Sequence, residues 1–90
     1  MPTVYIPTPL RKYTNNRAQL TLPAGTLSAL FVELDSACPG IKTQLCNDKG
    51  ALKRYINIFV NGRDIRSLGV EPIVIGDHDE VYIIPAMAGG

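Results

Sequence analysis

Tyr55 Ile56 Asn57 Ile58 Phe59 Val60, followed at once by Asn61 Gly62, leaves this chain little choice of local structure. Six residues dominated by β-branched and aromatic side chains form a strand, and Asn-Gly is the dipeptide most favoured in a two-residue type I′ turn, so Arg63 Asp64 Ile65 Arg66 pairs back. Asn57 tells the two faces apart. Its amide belongs in solvent, which sends Ile56, Ile58 and Val60 into the core and leaves Tyr55 and Phe59 beside Asn57 on the outer face. A hairpin of this kind is not stable alone: it needs a larger sheet and a cover for its apolar face.

The rest of the sequence supplies both. Thr3 Val4 Tyr5 Ile6 reads as a first strand closed by a bend at Pro7 and Pro9. Asn15 and Asn16 tolerate a left-handed turn before Arg17 to Leu22, where Ala18, Leu20 and Leu22 alternate with Gln19 and Thr21 as in a half-buried partner strand. Pro23 Ala24 Gly25 breaks that strand and Thr26 stands as an N-cap. Leu27, Leu30, Phe31, Leu34 and Cys38 then recur at spacings of three and four, with Ser28, Glu33 and Asp35 facing away, until Pro39 and Gly40 stop the helix. Ile41 to Cys46 reads as a second helical turn, Asn47 to Gly50 as a polar turn, Ser67 to Gly76 as a connection without periodicity, and Gly76 Asp77 His78 Asp79 as a turn into a last strand, Glu80 to Ile84. The expected class is α+β, a β-grasp (ubiquitin-like) arrangement: a mixed sheet of about five strands, first and last central, with one main helix across one face. Residues 1–84 form this domain and 85–90 a flexible tail.

A chain of 90 residues with a formal net charge of +1, 46% apolar and 19% charged residues, is an ordinary small globular domain with no broad pull towards nucleic acid or a membrane. No signal peptide or membrane-length apolar run is present, so the cytoplasm is the expected compartment. Cys38 and Cys46 match no metal or redox spacing and are expected as reduced, buried thiols. His78 between Asp77 and Asp79 is expected in solvent. No nucleophile triad, P-loop or GxGxxG occurs, and the chain is not expected to be an enzyme by itself. Arg11, Lys12, Lys53, Arg54, Arg63 and Arg66 either make a basic rim for an acidic partner or simply balance eight acidic residues. On the outer sheet face, alternation places Tyr5, Tyr82 and Ile84 beside Phe59; this is a partner surface, unless loops cover it.

The last six residues, Pro85 Ala86 Met87 Ala88 Gly89 Gly90, follow directly on the final strand. Pro85 is expected to end the pairing, and the five residues after it reach roughly 17 Å if extended. A terminal carboxyl has a pKa of about 3.5, so the tip is an anion at neutral pH. Two readings stand: a frayed end, or a carboxylate on a Cβ-free Gly pair that threads a narrow channel in another protein.

Here the sequence resembles a known family. A β-grasp domain ending in Gly89 Gly90 is similar to the ubiquitin-like sulfur carriers of the MoaD/ThiS family. Tyr5 Ile6 Pro7 Thr8 Pro9 Leu10 Arg11, Ile56 to Arg66 and the closing strand with its tail look most like the CysO branch. The resemblance implies a cycle on Gly90: an E1-like adenylyltransferase of the MoeB/ThiF type activates its carboxylate with ATP and Mg, and sulfur then displaces AMP to give a thiocarboxylate. The chain itself binds no cofactor. In the CysO branch the sulfur goes to a cysteine-synthase-like, PLP-dependent enzyme, and a JAMM-type metalloprotease releases new cysteine. In the MoaD branch the tail instead serves the large subunit of molybdopterin synthase, ThiS-like carriers serve thiazole synthesis, and a protein modifier would end in an isopeptide bond. By the same resemblance Gly89, Ala88 and Met87 contact the partner, with Ile84 and Phe59 as docking residues. The family often has a second proline and a valine where this chain has Ala86 and Met87, which leaves the choice of partner open.

Overall fold

The computed structural model describes residues 1–49, 51–68 and 72–85. In chain order they form β1 (Thr3–Tyr5), a 3₁₀ helix (Thr8–Tyr13), β2 (Gln19–Thr21), β3 (Gly25–Thr26), α1 (Leu27–Ala37), α2 (Ile41–Leu45), β4 (Ile56–Val60), β5 (Arg63–Asp64), a 3₁₀ turn (Ile65–Ser67), β6 (Val74–Ile75) and β7 (Glu80–Pro85). Five strands make one sheet in the order β2-β1-β7-β4-β5, with β1 parallel to β7 and the other pairs antiparallel. This is the expected β-grasp sheet.

Its inner face and the helices share one core. Val4, Ile6, Ile58, Val81 and Ile83 from the sheet meet Leu30 and Leu34 of α1 and Ile41 and Leu45 of α2, all no more than 2% exposed. Thr26 caps α1 as expected, its Oγ1 accepting from Ala29 N–H at 3.1 Å. Asn61 and Gly62 take φ of 51° and 86°, the two positive values a type I′ turn requires. Asn15 and Asn16 are likewise left-handed, at 55° and 66°.

Several local expectations are corrected. The bend at Pro7 and Pro9 is a 3₁₀ helix that buries Leu10, since a proline pre-set near φ −65° starts a helical turn as readily as it ends a strand. Gly25 and Thr26 pair with Ile75 and Val74 in a second, two-stranded sheet. Sequence periodicity misses it because two residues carry no period, although Ile75 is fully buried. Only Arg63 and Asp64 pair back after the Asn-Gly turn: the Asp64 carboxylate accepts from Arg66 N–H at 2.9 Å and rolls the chain into the 3₁₀ turn. Ala18 is exposed rather than inward, and Asp35 is half-buried, its Oδ1 accepting from Gly40 and Lys42 N–H at the α1–α2 junction.

Pro85 lies inside β7, opposite Ile56, rather than after the strand. The ladder explains how. Asn61 N–H donates to Glu80 O at 2.9 Å, and hydrogen-bonded pairs alternate along antiparallel strands. Tyr82 and Ile84 therefore bond to β4, while Ile83 and Pro85 turn their nitrogens to the β1 side, so β4 needs no N–H from Pro85. On that other side Thr3 N–H donates to Asp79 O, which makes positions 3, 5 and 7 of the first strand face β7. Position 7 is also proline. Neither chain has a donor for the next rung, and β1 and β7 part there.

At the opposite end of β7, Asp79 ties two turns together. Its Oδ2 accepts from Gly76 N–H at 2.7 Å and its Oδ1 from Asn61 Nδ2 at 2.8 Å. The Gly76 N–H first, then the Asn61 amide, holds its carboxyl below the usual 3.8. A depressed folded pKa contributes stability that is complete above the unfolded value and lost as pH falls through the folded one. Thermal melting across acid pH should thus show Asp79→Asn less stable than the parent at neutral pH, with the gap closing below about pH 3.8. A gap that stays constant down to strong acid would show that the carboxylate charge has no part in it.

Candidate functional site

One rung of the sheet carries the outer-face aromatics. Gln19, Tyr5, Tyr82, Phe59 and Asp64 stand opposite one another on consecutive strands across the whole sheet. Tyr5 and Tyr82 stack with ring centroids 4.3 Å apart and planes 6° from parallel. The Tyr5 hydroxyl donates to Glu80 Oε2 at 2.8 Å, and that bond, with smaller contributions from desolvation and the carboxylate charge, pushes its pKa up to about 12. Tyr5 is therefore a fixed neutral donor at physiological pH, unsuited to act as a base.

The next rung brings Ile84 opposite Asn57. Arg66 holds the Asn57 side: its Nη1 donates to Asn57 Oδ1 at 2.7 Å and its Nη2 to Ile56 O and Lys53 O at 2.9 and 3.2 Å. These bonds take the place of the strand that β5 is too short to provide. Ile84 and Tyr55 remain 44% and 49% exposed, whereas Tyr5, Tyr82 and Phe59 are half-buried among their neighbours. Ile84 and Phe59, two of the residues expected to dock a partner, thus share the outer face, one rung apart on adjacent strands. Gly90, Gly89, Ala88 and Met87 lie outside the described residues.

Where β1 leaves β7 a groove of about 370 Å³ opens, walled by Tyr5, Pro7 and Arg11 and by Tyr82, Ile84 and Pro85. Arg11 is fixed there by its Nε, which donates to Ile6 O at 3.1 Å. Four of the six basic residues have specific contacts of their own. Arg66 is engaged by Asn57 and by backbone carbonyls at the surface, Lys12 and Lys53 lie 5.5 and 5.9 Å from the rings of Tyr13 and Tyr55, and Arg11 lines the groove. Sequence reasoning missed the roles of Arg11 and Arg66. Pro7 and Pro85 were the available signal for the groove, since two residues without N–H on neighbouring strands must end their ladder.

The two cysteines and the histidine lie as expected. Cys38 and Cys46 are buried free thiols whose pKa values burial raises, which makes them poor nucleophiles. His78 is exposed. Among the described residues no cluster of three or more His, Cys, Asp or Glu is placed to hold a metal, and no helix is long and apolar enough to cross a membrane.

The sequence matches the ThiS family from residue 4 to residue 90, which takes in the sheet, the helices and both terminal glycines. The chain belongs to the ThiS family. It is 39% identical over 90 residues to the sulfur carrier protein CysO of Mycobacterium tuberculosis, with 98% of this chain and 97% of that one covered. Its fold superposes on the Amycolatopsis orientalis BexX/CysO complex structure with a TM-score of 0.91, at 34% identity and 100% coverage of both chains. It also superposes on small archaeal modifier protein 1 of Methanosarcina acetivorans with a TM-score of 0.83, at 25% identity and with 99% of this chain and 95% of that one covered. ThiS-family membership and the whole-length likeness to CysO support a sulfur-carrier role.

Proposed function

We propose that this protein is a cytoplasmic sulfur carrier working through the carboxylate of Gly90. An E1-like enzyme joins that carboxylate to AMP from ATP, with Mg and release of pyrophosphate, because a free carboxylate is a poor electrophile. A hydrosulfide equivalent then attacks the acyl carbon, AMP leaves, and the terminus becomes a thiocarboxylate with loss of one proton. This anion is a soft nucleophile at neutral pH, like a thiolate. Its sulfur replaces the leaving group of an activated serine derivative on an enzyme of the cysteine-synthase type, which is PLP-dependent, the Gly90 acyl group moves from sulfur to the amino nitrogen, and a metalloprotease hydrolyses the resulting amide to release the amino acid. Ile84 and Phe59 dock the activating enzyme, and Gly89, Ala88 and Met87 line the path to its active site without bulk.

The observation that carries this reading is the whole-length likeness to a sulfur carrier, in a family match that includes Gly89 and Gly90. Intact mass of the protein isolated from its own host tests it. The expected result is a population heavier by the difference between sulfur and oxygen, confined to the C-terminal peptide. Likeness to an archaeal modifier protein favours a second reading, in which Gly90 ends in an isopeptide bond to lysine. A ladder of conjugates without the sulfur-bearing form would select it.

A further inference from the structure

Resting on the carrier reading above, we propose that the groove between the parted ends of β1 and β7 is a slot for an extended, acidic segment of the activating enzyme, and that Arg11 pairs with its carboxylate. The slot is built for one charged and one apolar contact. Tyr82, Ile84 and Pro85 make an apolar wall, and Arg11 stands opposite with its Nε already bonded to Ile6 O at 3.1 Å. That bond engages Nε and leaves Nη1 and Nη2 without a hydrogen-bond partner among the described residues, and a guanidinium can receive a carboxylate on two parallel N–H bonds.

Among the described residues no carboxylate pairs with Arg11; the ion pair there joins the Met1 amine to Asp77 at 3.7 Å. Glu80, on the same strand as the groove wall, is engaged by the Tyr5 hydroxyl. An apolar slot with an unanswered cation calls for an acidic occupant. Its place selects which one: β7 runs to Pro85, and Pro85 is itself part of the slot wall. An enzyme that receives the chain beyond Pro85 meets the slot wall at the last residue of β7.

The test is ATP–pyrophosphate exchange by the E1-like enzyme of the same genome, with the parent chain, Arg11→Glu, Arg11→Ala and Arg11→Lys. Charge reversal should raise the KM for the carrier by roughly tenfold or more with kcat nearly unchanged, the alanine variant should fall between, and lysine should restore part of the loss. The KM of the parent should also rise with salt, and that of Arg11→Ala should respond less. This salt dependence, together with Arg11→Lys, keeps the test decisive should Arg11→Glu melt early. An active parent whose KM is matched by all three variants overturns the slot but not the carrier. A parent that supports no exchange overturns both. Sedimentation showing a dimer that Arg11→Glu dissociates gives the groove to a second copy of this chain and overturns the proposal.

Discussion

Removal of Gly90 alone should abolish formation of the thiocarboxylate and leave the melting temperature where it was. Deleting one residue draws the terminal carboxylate back by about 3.5 Å, and misplacing a reacting group by even 1 Å costs about 10²-fold in rate. Gly89 would still end in a carboxylate, so the chemistry of the group is preserved and only its reach is lost. Stability should not follow, because the buried core of the described residues ends at Ile83. Intact mass after incubation with the activating enzyme, ATP and sulfide reads the first outcome, and thermal denaturation the second. Thiocarboxylate formation on the deleted chain at the parental rate would refute the proposed role of the terminus. A fallen melting temperature would show instead that the last residue belongs to the fold.

A second pair of variants separates the two faces of β4. Ile58 is fully buried at the centre of the core, opposite Ile83, while Phe59 turns the other way, beside Tyr82. Ile58→Ala should destabilise by about 3 kcal/mol, from lost transfer energy and the cavity left behind. In a domain of this size that corresponds to a fall in melting temperature of roughly 15 °C. Phe59→Ala removes more atoms but from a half-buried ring, and its stability loss should be the smaller of the two. Its weight should appear in exchange with the activating enzyme, as a raised KM. Thermal melts and exchange kinetics on both variants check the division. If Phe59→Ala melted earlier than Ile58→Ala and left the KM unchanged, the outer face would be structural rather than a docking surface.

The sequence was most legible where one residue type has one physical use. Asn61 Gly62 selects a type I′ turn, Thr26 caps a helix, and alternation across Ile56 to Val60 and Val81 to Ile84 assigns each side chain to a face; all of these appear in the structure as read. Harder to see were features made by residues far apart in the chain. The β3–β6 ribbon joins Gly25 to Ile75, and its two-residue strands are too short for any pattern. Arg66 looked like one cation among several, but its partners are Asn57 and the carbonyls of Lys53 and Ile56, which only the hairpin brings within reach. Arg11 acquired a place only once Pro7 and Pro85 were known to lie side by side. For the site, Ile84 and Phe59 were readable from alternation, whereas a groove formed by two strands separating leaves no local trace.

The paired prolines carry a consequence for how this protein behaves in a crowded cell. An unpaired strand edge is an invitation to aggregate, because a second chain can zip onto it by backbone bonds alone. Here the free flank of β7 past Tyr82 lacks a donor at Pro85, and Pro7 across the gap lacks one too. A foreign strand finds no backbone donor at either proline, even though exposed Ile84 makes the neighbourhood sticky. Whatever settles there depends more on its side chains than on backbone bonds. A carrier of the kind proposed gains from an edge that can be visited but not captured.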